Sequence, residues 1–279
     1  MISIIICSRT QNISFNLSEN IKNTIGCDYE LIVIDNSNNK YSIFEAYNLG
    51  IEKSRNDYLC FMHDDVLLHT QNWGLLVKNL FDQNEEFGLL GVAGAKSKTK
   101  MPSAWWDCPE EDKFLYLKQH LRNGNVEDWD QGFKNKNIEK VVAIDGFFMI
   151  ARRDKQFRFQ ESTKGFHCYD LNISFEYIKL GYSIIVVNSI VVEHFSLGKL
   201  DKNWYLTSII MHKIYSNLLP LKVEEGIVCK DFEFKNGTNF IKGLLYYRLK
   251  KQAFLLWIQL IILKPITGCH FKFLKQMLK

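Results

Sequence analysis

The segment DYLCFMHDDV, residues 57–66, joins an apolar run to a cluster of charged side chains. Residues 57–62 are apolar enough to form a buried strand, and His63, Asp64 and Asp65 follow directly. Charged side chains next to a protein core need partners, because an unpaired charge is costly to remove from water. The end of this strand is therefore a candidate binding site.

Three further runs resemble residues 57–62, and stretches of helical character separate the first ones. The apolar runs are ISIIIC (2–7), ELIVID (30–35) and FGLLGVAG (87–94), and the helical stretches cover 13–24, 41–54 and 72–83. Strands that are apolar on both faces and alternate with helices predict an α/β fold, with a mostly parallel central sheet flanked by helices. Further along, we predict a long loop region over 95–140 with a short helix at 111–122, strands within 141–153 and 183–195, and a helix at 170–182.

Polar side chains follow each of the first three predicted strands. Ser8 and Arg9 follow the first, Asp35 ends the second, and the 63–65 cluster follows the third. Open parallel sheets bind ligands beyond the carboxyl ends of their strands. Neither a glycine-rich dinucleotide fingerprint nor a P-loop lysine motif follows any of these strands. A phosphate-bearing ligand would then need another source of positive charge, and a divalent cation is the obvious one.

The two aspartates of the cluster offer the hard oxygen ligands that such a cation prefers. Neighbouring residues on an extended segment point in opposite directions, so His63 and Asp65 are expected on one side and Asp64 on the other. The alternative for the Asp-Asp pair is a turn, or an N-cap before the helix near residue 72.

The composition is that of a globular protein with free cysteines. Of the 279 residues, 47% are hydrophobic, and the formal net charge is +4. That length suits one large domain or two modest ones. The seven cysteines are irregularly spaced and form no C-x-x-C pair, which disfavours a disulfide framework or a structural zinc site and favours a reducing cytosol. The start, MISIIICSRT, lacks the features of a signal peptide, and no uncharged apolar run reaches the ~18–20 residues of a membrane span.

Residues 1–200 resemble glycosyltransferase family 2 with the GT-A fold, and closely its bacterial glycosyltransferase-like subgroup. ISIIICSRT is similar to the family's first strand and nucleotide loop, ELIVIDNS to its second strand, and AYNLGIEKSRNDYLCFMHDD to the helix that runs into its D-x-D metal motif. The resemblance assigns Asp65 to the last carboxylate of that motif, and His63 stands where many relatives have the first. It places Ser8, Arg9, Asp35, Asn48 and Asp64 on the donor side, with Asn48 either structural or a donor contact.

The second half of the chain extends the resemblance. HCYDLNISFEYIKLGYSIIVV is similar to the segment that carries the catalytic base, which places Asp170 on the base and Tyr169 where relatives have Glu. VVEHFSLG places His194 at a further metal or phosphate contact. IDGFFMIARRD carries Arg152 and Arg153, which either reach diphosphate oxygens or form a solvated pair.

Structural alternatives stand beside these assignments. Asp170 is also a candidate N-cap for a helix over 171–180, and His194 a candidate structural histidine. Trp105 and Trp106 either stack on an acceptor sugar or pack in the core.

The resemblance implies an inverting transfer from a nucleotide-sugar donor to a glycan or lipid-linked acceptor, assisted by Mn²⁺ or Mg²⁺. The setting it implies is surface polysaccharide or glycoconjugate synthesis. One alternative is a sugar nucleotidyltransferase, although CSRTQN lacks the glycine-rich basic loop expected there. Another is a catalytically degenerate membrane scaffold, for which His63 and Tyr169 are the best support.

The C-terminal part of the chain differs from the rest in charge. We expect a transferase domain over 1–220, with a donor half (1–100) and an acceptor half (101–200), and a mainly helical basic segment over 221–279. Residues 235–279 contain eight lysines and one arginine but no aspartate or glutamate, around the apolar run AFLLWIQLIIL (253–263). This composition predicts binding to an anionic membrane on its cytoplasmic face. The alternatives are packing on the catalytic domain or a homodimer, and no nucleic-acid partner is expected.

Overall fold

A computed structural model of the chain describes residues 1–223 and 226–278. Its strands are β1 (Ile2–Ser8), β2 (Tyr29–Asp35), β3 (Tyr58–Met62), β4 (Val66–Leu68), β5 (Phe87–Gly91), β6 (Ala93–Ala95), β7 (Ser97–Lys98), β8 (Lys113–His120), β9 (Val126–Gln131), β10 (Ile138–Val141), β11 (Ala143–Ile144), β12 (Phe148–Arg152), β13 (Ser183–Val187), β14 (Val192–His194) and β15 (Leu221–Lys222). Its helices are α1 (Phe15–Thr24), α2 (Ile43–Lys53), α3 (Trp73–Gln83), α4 (Tyr169–Lys179), α5 (Lys202–Ile214), α6 (Lys230–Tyr246), α7 (Lys250–Leu263) and α8 (Cys269–Leu278).

A seven-stranded central sheet has the order β10-β13-β5-β12-β3-β1-β2. The strands β1, β2, β3, β5 and β13 run in one direction, while β10 and β12 run in the other. The prediction of a mostly parallel sheet flanked by helices is confirmed. The apolar runs form its centre because both faces of the sheet are covered, and every residue of β3 is buried.

Helix α2 precedes β3 in the chain and packs on the central sheet. A capping box starts it, since the Ser42 hydroxyl accepts from the Glu45 amide and the Glu45 carboxylate accepts from the Ser42 amide. Further along, Gly50 lies against Ile5 of β1, and a Cβ there would come within 2.2 Å of the Ile5 side chain. The helix therefore packs on the sheet at a distance that only glycine permits at this position.

A second sheet of six strands has the order β11-β6-β8-β14-β4, with β9 paired to β8. Its antiparallel pair β4–β14 sets His194 opposite Val66, immediately after Asp65. The prediction of a helix at 111–122 is wrong, because residues 113–120 form β8. Strand β8 pairs with β6, β9 and β14, and it buries Phe114, Leu117 and Gln119. This tertiary pairing overrides the local sequence pattern that favours a helix.

The C-terminal helices pack onto the rest of the protein. The Glu233 carboxylate of α6 accepts hydrogen bonds from the backbone amides of Lys100 and Met101, and Phe240 and Leu244 are buried. In the part of the chain that the structure describes, no helix combines the length and the apolar character needed to cross a bilayer.

Candidate active site

The carboxyl ends of β1, β2 and β3 meet at one edge of the central sheet. Ser8 ends β1 and lies in register with Asp35, the last residue of β2. Asp35 is exposed there, and its side chain accepts from the Ser37 amide at 2.9 Å, which holds the pKa of this carboxyl below its usual range. Asp64 follows β3 and faces the same edge, so the predicted grouping of these polar side chains is present.

Arg9 and Asp64 form the basic and acidic sides of this edge. The Arg9 amide donates to Asp64 Oδ2 at 3.1 Å, and its guanidinium donates to Asp64 Oδ1 at 2.7 Å. The same guanidinium lies 3.5 Å from Asp65 Oδ2, yet the Arg9 side chain remains 73% exposed. It is therefore held over the carboxylates while keeping N–H groups free for an anionic ligand.

Two histidines converge on Asp65. His63 Nδ1 lies 3.6 Å and His194 Nε2 lies 3.8 Å from the same oxygen, Asp65 Oδ1. Burial is the largest single influence on the pKa of Asp65 and would raise it, but His63, Ser196 and His194 together outweigh burial and hold this pKa well below the usual range. Asp65 is thus a carboxylate at any physiological pH.

Gln119 of β8 determines which nitrogen of His194 carries the proton. The Gln119 amide nitrogen donates to the carbonyls of His194 and Ser196, which turns its oxygen toward His194 Nδ1 at 3.2 Å. An amide oxygen only accepts, so Nδ1 carries the proton and Nε2 keeps its lone pair. Burial, followed by the nearby His63, lowers the pKa of His194 and keeps the ring neutral.

The three side chains fit a metal ion. One ligand atom each of His63, Asp65 and His194 lies within 4.8 Å of the others. The buried Nε2 of His194 has no hydrogen-bond partner among the described residues, although buried polar atoms are nearly always paired. A lone pair of this kind facing a carboxylate, with the other ring nitrogen hydrogen-bonded behind it, is typical of a metal-ligating histidine.

Tyr169 supports His63 from the opposite side. Its hydroxyl lies 2.5 Å from His63 Nε2, and its ring packs where Gly146 leaves room. A Cβ on Gly146 would fall 2.5 Å from the tyrosine hydroxyl. The glycine therefore lets Tyr169 approach and hold the imidazole.

A pocket of about 510 Å³ extends from this cluster. Both His63 and His194 line it, together with the carboxylates Asp145 and Asp170, and its walls include Trp105, Trp106 and Trp129. Trp105 is 4% exposed and Trp106 is 37% exposed. The pocket thus combines metal-ligand candidates, two acids and flat aromatic surfaces.

Asp170 lies in the first turn of α4. The N-cap of that helix is Cys168, so the alternative that Asp170 caps the helix is not what the structure shows. Burial, and then the negative charge of Asp145, raises the pKa of Asp170 to about 7. A carboxyl that titrates near neutrality and faces a pocket is suited to exchange a proton with a ligand.

Asp145 is held by two hydrogen bonds. Trp105 Nε1 donates to Asp145 Oδ2 at 2.9 Å, and the Phe147 amide donates to Oδ1 at 3.2 Å. The first bond also fixes the plane of the Trp105 ring at the pocket wall. Asp145 therefore both fixes Trp105 in the pocket wall and, through its charge, raises the pKa of Asp170.

Two residues assigned to the donor lie elsewhere. Asn48 is buried, and its amide exchanges hydrogen bonds of 2.9 Å with both backbone groups of Phe159, so it takes the structural of its two predicted roles. Arg153 lies at the opposite end of β3, where its guanidinium donates to the Asn56 carbonyl and to Ser54 Oγ. The prediction that Arg153 contacts the donor is corrected, because its hydrogen bonds fix it to the far edge of the sheet.

The profile of a family described as "Glycosyltransferase like family" matches residues 3–217. The chain belongs to this family. Among solved structures, S. aureus TarS 1-349 in complex with UDP aligns with a TM-score of 0.51 at 11% identity, over 87% of this chain and 70% of that one. A longer structure of S. aureus TarS aligns with a TM-score of 0.50 at 11% identity, over 88% of this chain and 43% of that one. GalNAc-T7 with UDP, GalNAc and Mn2+ aligns with a TM-score of 0.49 at 10% identity, over 71% of this chain and 44% of that one. No curated protein sequence matches the chain.

The likeness to TarS shows that this glycosyltransferase-like chain has the GT-A fold. Sequence reasoning missed two residues of its pocket, Gln119 and Asp145. A predicted helix over 111–122 gives no reason to place Gln119 beside His194, whereas the observed strand β8 pairs with β14 and does so. Asp145 stands in the quoted segment IDGFFMIARRD, directly before Gly146, and an acid followed by glycine at a strand end is the signal that marks it.

Proposed function

We propose that the protein transfers a sugar, with inversion, from a nucleotide-sugar donor to a hydroxyl of a glycan or lipid-linked acceptor. The observation that carries this proposal is the shared pocket, in which a metal-type cluster and an acid titrating near neutrality face the same space. Membership of a glycosyltransferase family supplies the reaction class.

The donor occupies the sheet edge in this proposal. Arg9 binds diphosphate oxygens with its free N–H groups, and Asp35 binds the nucleoside. His63, Asp65 and His194 would hold a divalent cation, which when bound neutralises charge on the departing diphosphate. Mg²⁺ is bound mostly through oxygens, so two imidazoles among the ligands favour a transition-metal ion over Mg²⁺.

Asp170 receives the acceptor proton. As the acceptor oxygen forms its bond to the anomeric carbon, the bond from that carbon to the diphosphate oxygen breaks, and the hydroxyl proton passes to the Asp170 carboxylate. One carboxylate is sufficient for this displacement. Because only the ionised form accepts a proton, a pKa near 7 makes the reaction dependent on pH in the neutral range.

The aromatic walls orient the acceptor. Apolar faces of sugar rings pack on indoles, and Trp106 and Trp129 present such surfaces to the pocket. Trp105 is locked by Asp145 and so offers a fixed plane next to the base. This arrangement suits a saccharide unit more than a small ion.

A panel of UDP-, GDP- and dTDP-sugars with Mn²⁺ tests the proposal, with release of nucleoside diphosphate as the readout. Hydrolysis or transfer of at least one donor is expected, and it should stop when EDTA is added. If a donor is instead converted to nucleoside triphosphate and sugar 1-phosphate only when pyrophosphate is added, the protein is a nucleotidyltransferase. If no donor is consumed, the proposal is wrong and a catalytically inactive protein remains.

A further inference from the structure

Helix α7 carries apolar side chains on both sides, although only one side packs against the protein. Its inner side buries Ala253, Leu256 and Leu260. Its opposite side is exposed by 41–77% and forms what we call the outer stripe: Phe254, Leu255, Ile258 and Ile262. A helix that is apolar all round is normally covered on all sides, so the outer stripe lacks its cover within the described chain.

Exposed apolar side chains continue beyond α7. Ile266, in the link to α8, is 94% exposed. In α8, Phe273 is buried, while Phe271 and Leu274 are 77% and 44% exposed. Consecutive elements thus bury one apolar side and present another to solvent.

A groove of about 520 Å³ runs beside the outer stripe, between α5 and α7. Leu255 and Ile262 of the stripe form part of its wall, and Lys100 and Lys213 also line it. Apolar walls with ammonium groups at the same opening match an amphiphile that has an acidic head and an acyl tail.

The positive charge around this face indicates what kind of partner covers it. Residues 235–279 hold eight lysines and one arginine and no acidic residue, and Lys251, Lys272 and Lys275 are exposed close to the apolar side chains in sequence. A second copy would bring like charges together, which is unfavourable. An anionic surface would be attracted, at roughly 1 kcal/mol per basic residue near it, or about fivefold in partitioning.

We propose that the outer stripe, together with the exposed side of α8, docks on an anionic lipid bilayer. Phe254, Ile258 and Ile262 enter the boundary between headgroups and acyl chains, and the lysines lie among the phosphates. The groove takes up lipid beside the stripe. This binding is independent of glycosyl transfer, so it stands or falls separately from the proposed activity.

Co-sedimentation of the full chain with vesicles tests the apolar part. Phosphatidylcholine vesicles with phosphatidylglycerol should pellet the protein, and phosphatidylcholine alone should pellet it far less. The triple variant Phe254→Gln/Ile258→Gln/Ile262→Gln should bind at least tenfold less. The control Phe15→Gln removes a side chain on α1 that is 80% exposed and should bind like the wild type. Circular dichroism and thermal melts verify that each variant is folded.

A second set of variants tests the charge. Lys251→Gln/Lys272→Gln/Lys275→Gln should weaken binding roughly a hundredfold, at about fivefold per charge. The matched control Lys22→Gln/Lys53→Gln/Lys155→Gln removes the same charge elsewhere and should have little effect. Wild-type protein that ignores anionic vesicles, or a stripe variant that binds unchanged, would overturn the proposal. So would light scattering that shows a dimer dissociated by the stripe variant without any vesicle binding, because the face would then join two copies.

Discussion

The two ends of β3 both carry charged groups, but the side chains at the two ends are bonded differently. At the amino end, Arg152 donates to the carbonyls of Phe81 and Phe87, and Arg153 to that of Asn56. At the carboxyl end, the lone pair of His194 Nε2 is unpaired among the described residues and faces Asp65.

This difference separates a structural charge from a binding one. A guanidinium has only N–H donors, and Nε and Nη2 of Arg153 donate to Asn56 and Ser54 of the protein itself. A neutral imidazole beside a carboxylate leaves lone pairs that only an added ligand can use. A buried lone pair without a partner, more than charge, therefore marks the site.

Asp170→Asn should give the largest loss. Without a proton acceptor, we expect the rate of sugar transfer to fall by about 10²–10⁴, while donor binding changes little. Transfer assays and calorimetric donor titrations would measure the two effects. Asp130→Asn, which neutralises an exposed acid on β9, is the control, and full turnover in Asp170→Asn would refute the base assignment.

Asp65→Asn should lower the transfer rate by about 10²–10³, since charge stabilisation at the leaving diphosphate is lost. Its sequence neighbour is the sharpest control, because Asp64 holds Arg9 and does not belong to the histidine cluster. Steady-state kinetics of Asp64→Asn should show a mainly raised KM. Equal losses of kcat in both variants would contradict the assignment of the metal site to Asp65.

Tyr169→Phe removes the hydroxyl that holds His63 and should reduce Mn²⁺ affinity by about 10–100-fold. Electron paramagnetic resonance of free Mn²⁺ measures this directly. Tyr47→Phe is the control, because the buried Tyr47 hydroxyl has no hydrogen-bond partner in the described part of the chain. If the two variants bind Mn²⁺ equally well, Tyr169 does not support the cluster.

The pH profile should reflect the ionisation of Asp170. Its pKa of about 7 predicts that kcat rises about tenfold per pH unit below neutrality and levels off above it. The negative charge of Asp145 helps to raise that pKa, so Asp145→Asn should move the midpoint to lower pH. A midpoint that stays in place, or moves up, would show that the titrating group is not Asp170.

Arg153→Gln should have the smallest effect on catalysis. Loss of its bonds to Ser54 and Asn56 should lower the free energy of unfolding by about 1–3 kcal/mol in urea titrations, with kcat and KM unchanged. Arg122→Gln, at an exposed arginine, should change neither quantity. A raised KM for the donor would restore Arg153 to the donor site.

The sequence was sufficient for the parts that local pattern determines. The apolar runs predicted β1, β2 and β3, and the ends of these strands predicted that Ser8, Asp35 and Asp64 lie at one edge of the sheet. Parallel strands place their carboxyl ends at one edge, so these positions follow from sequence order alone.

Other parts depend on tertiary pairing that no local pattern contains. The residues 113–120 became a strand because β6, β9 and β14 pair with it, and Gln119 reached His194 only through that pairing. Asn48 and Arg153 have side chains that suit a ligand or a backbone carbonyl equally well. The geometry decided between these roles.

Calorimetric titration of UDP, GDP and dTDP into the wild-type protein, with and without Mn²⁺, tests the central claim most directly. The claim is that the carboxyl end of β3 binds a nucleotide through a cation. At least one nucleotide should bind with Mn²⁺, and binding should disappear in EDTA and in the variant His194→Ala. Binding that is unchanged in EDTA and in this variant, or no binding of any nucleotide, would contradict the claim.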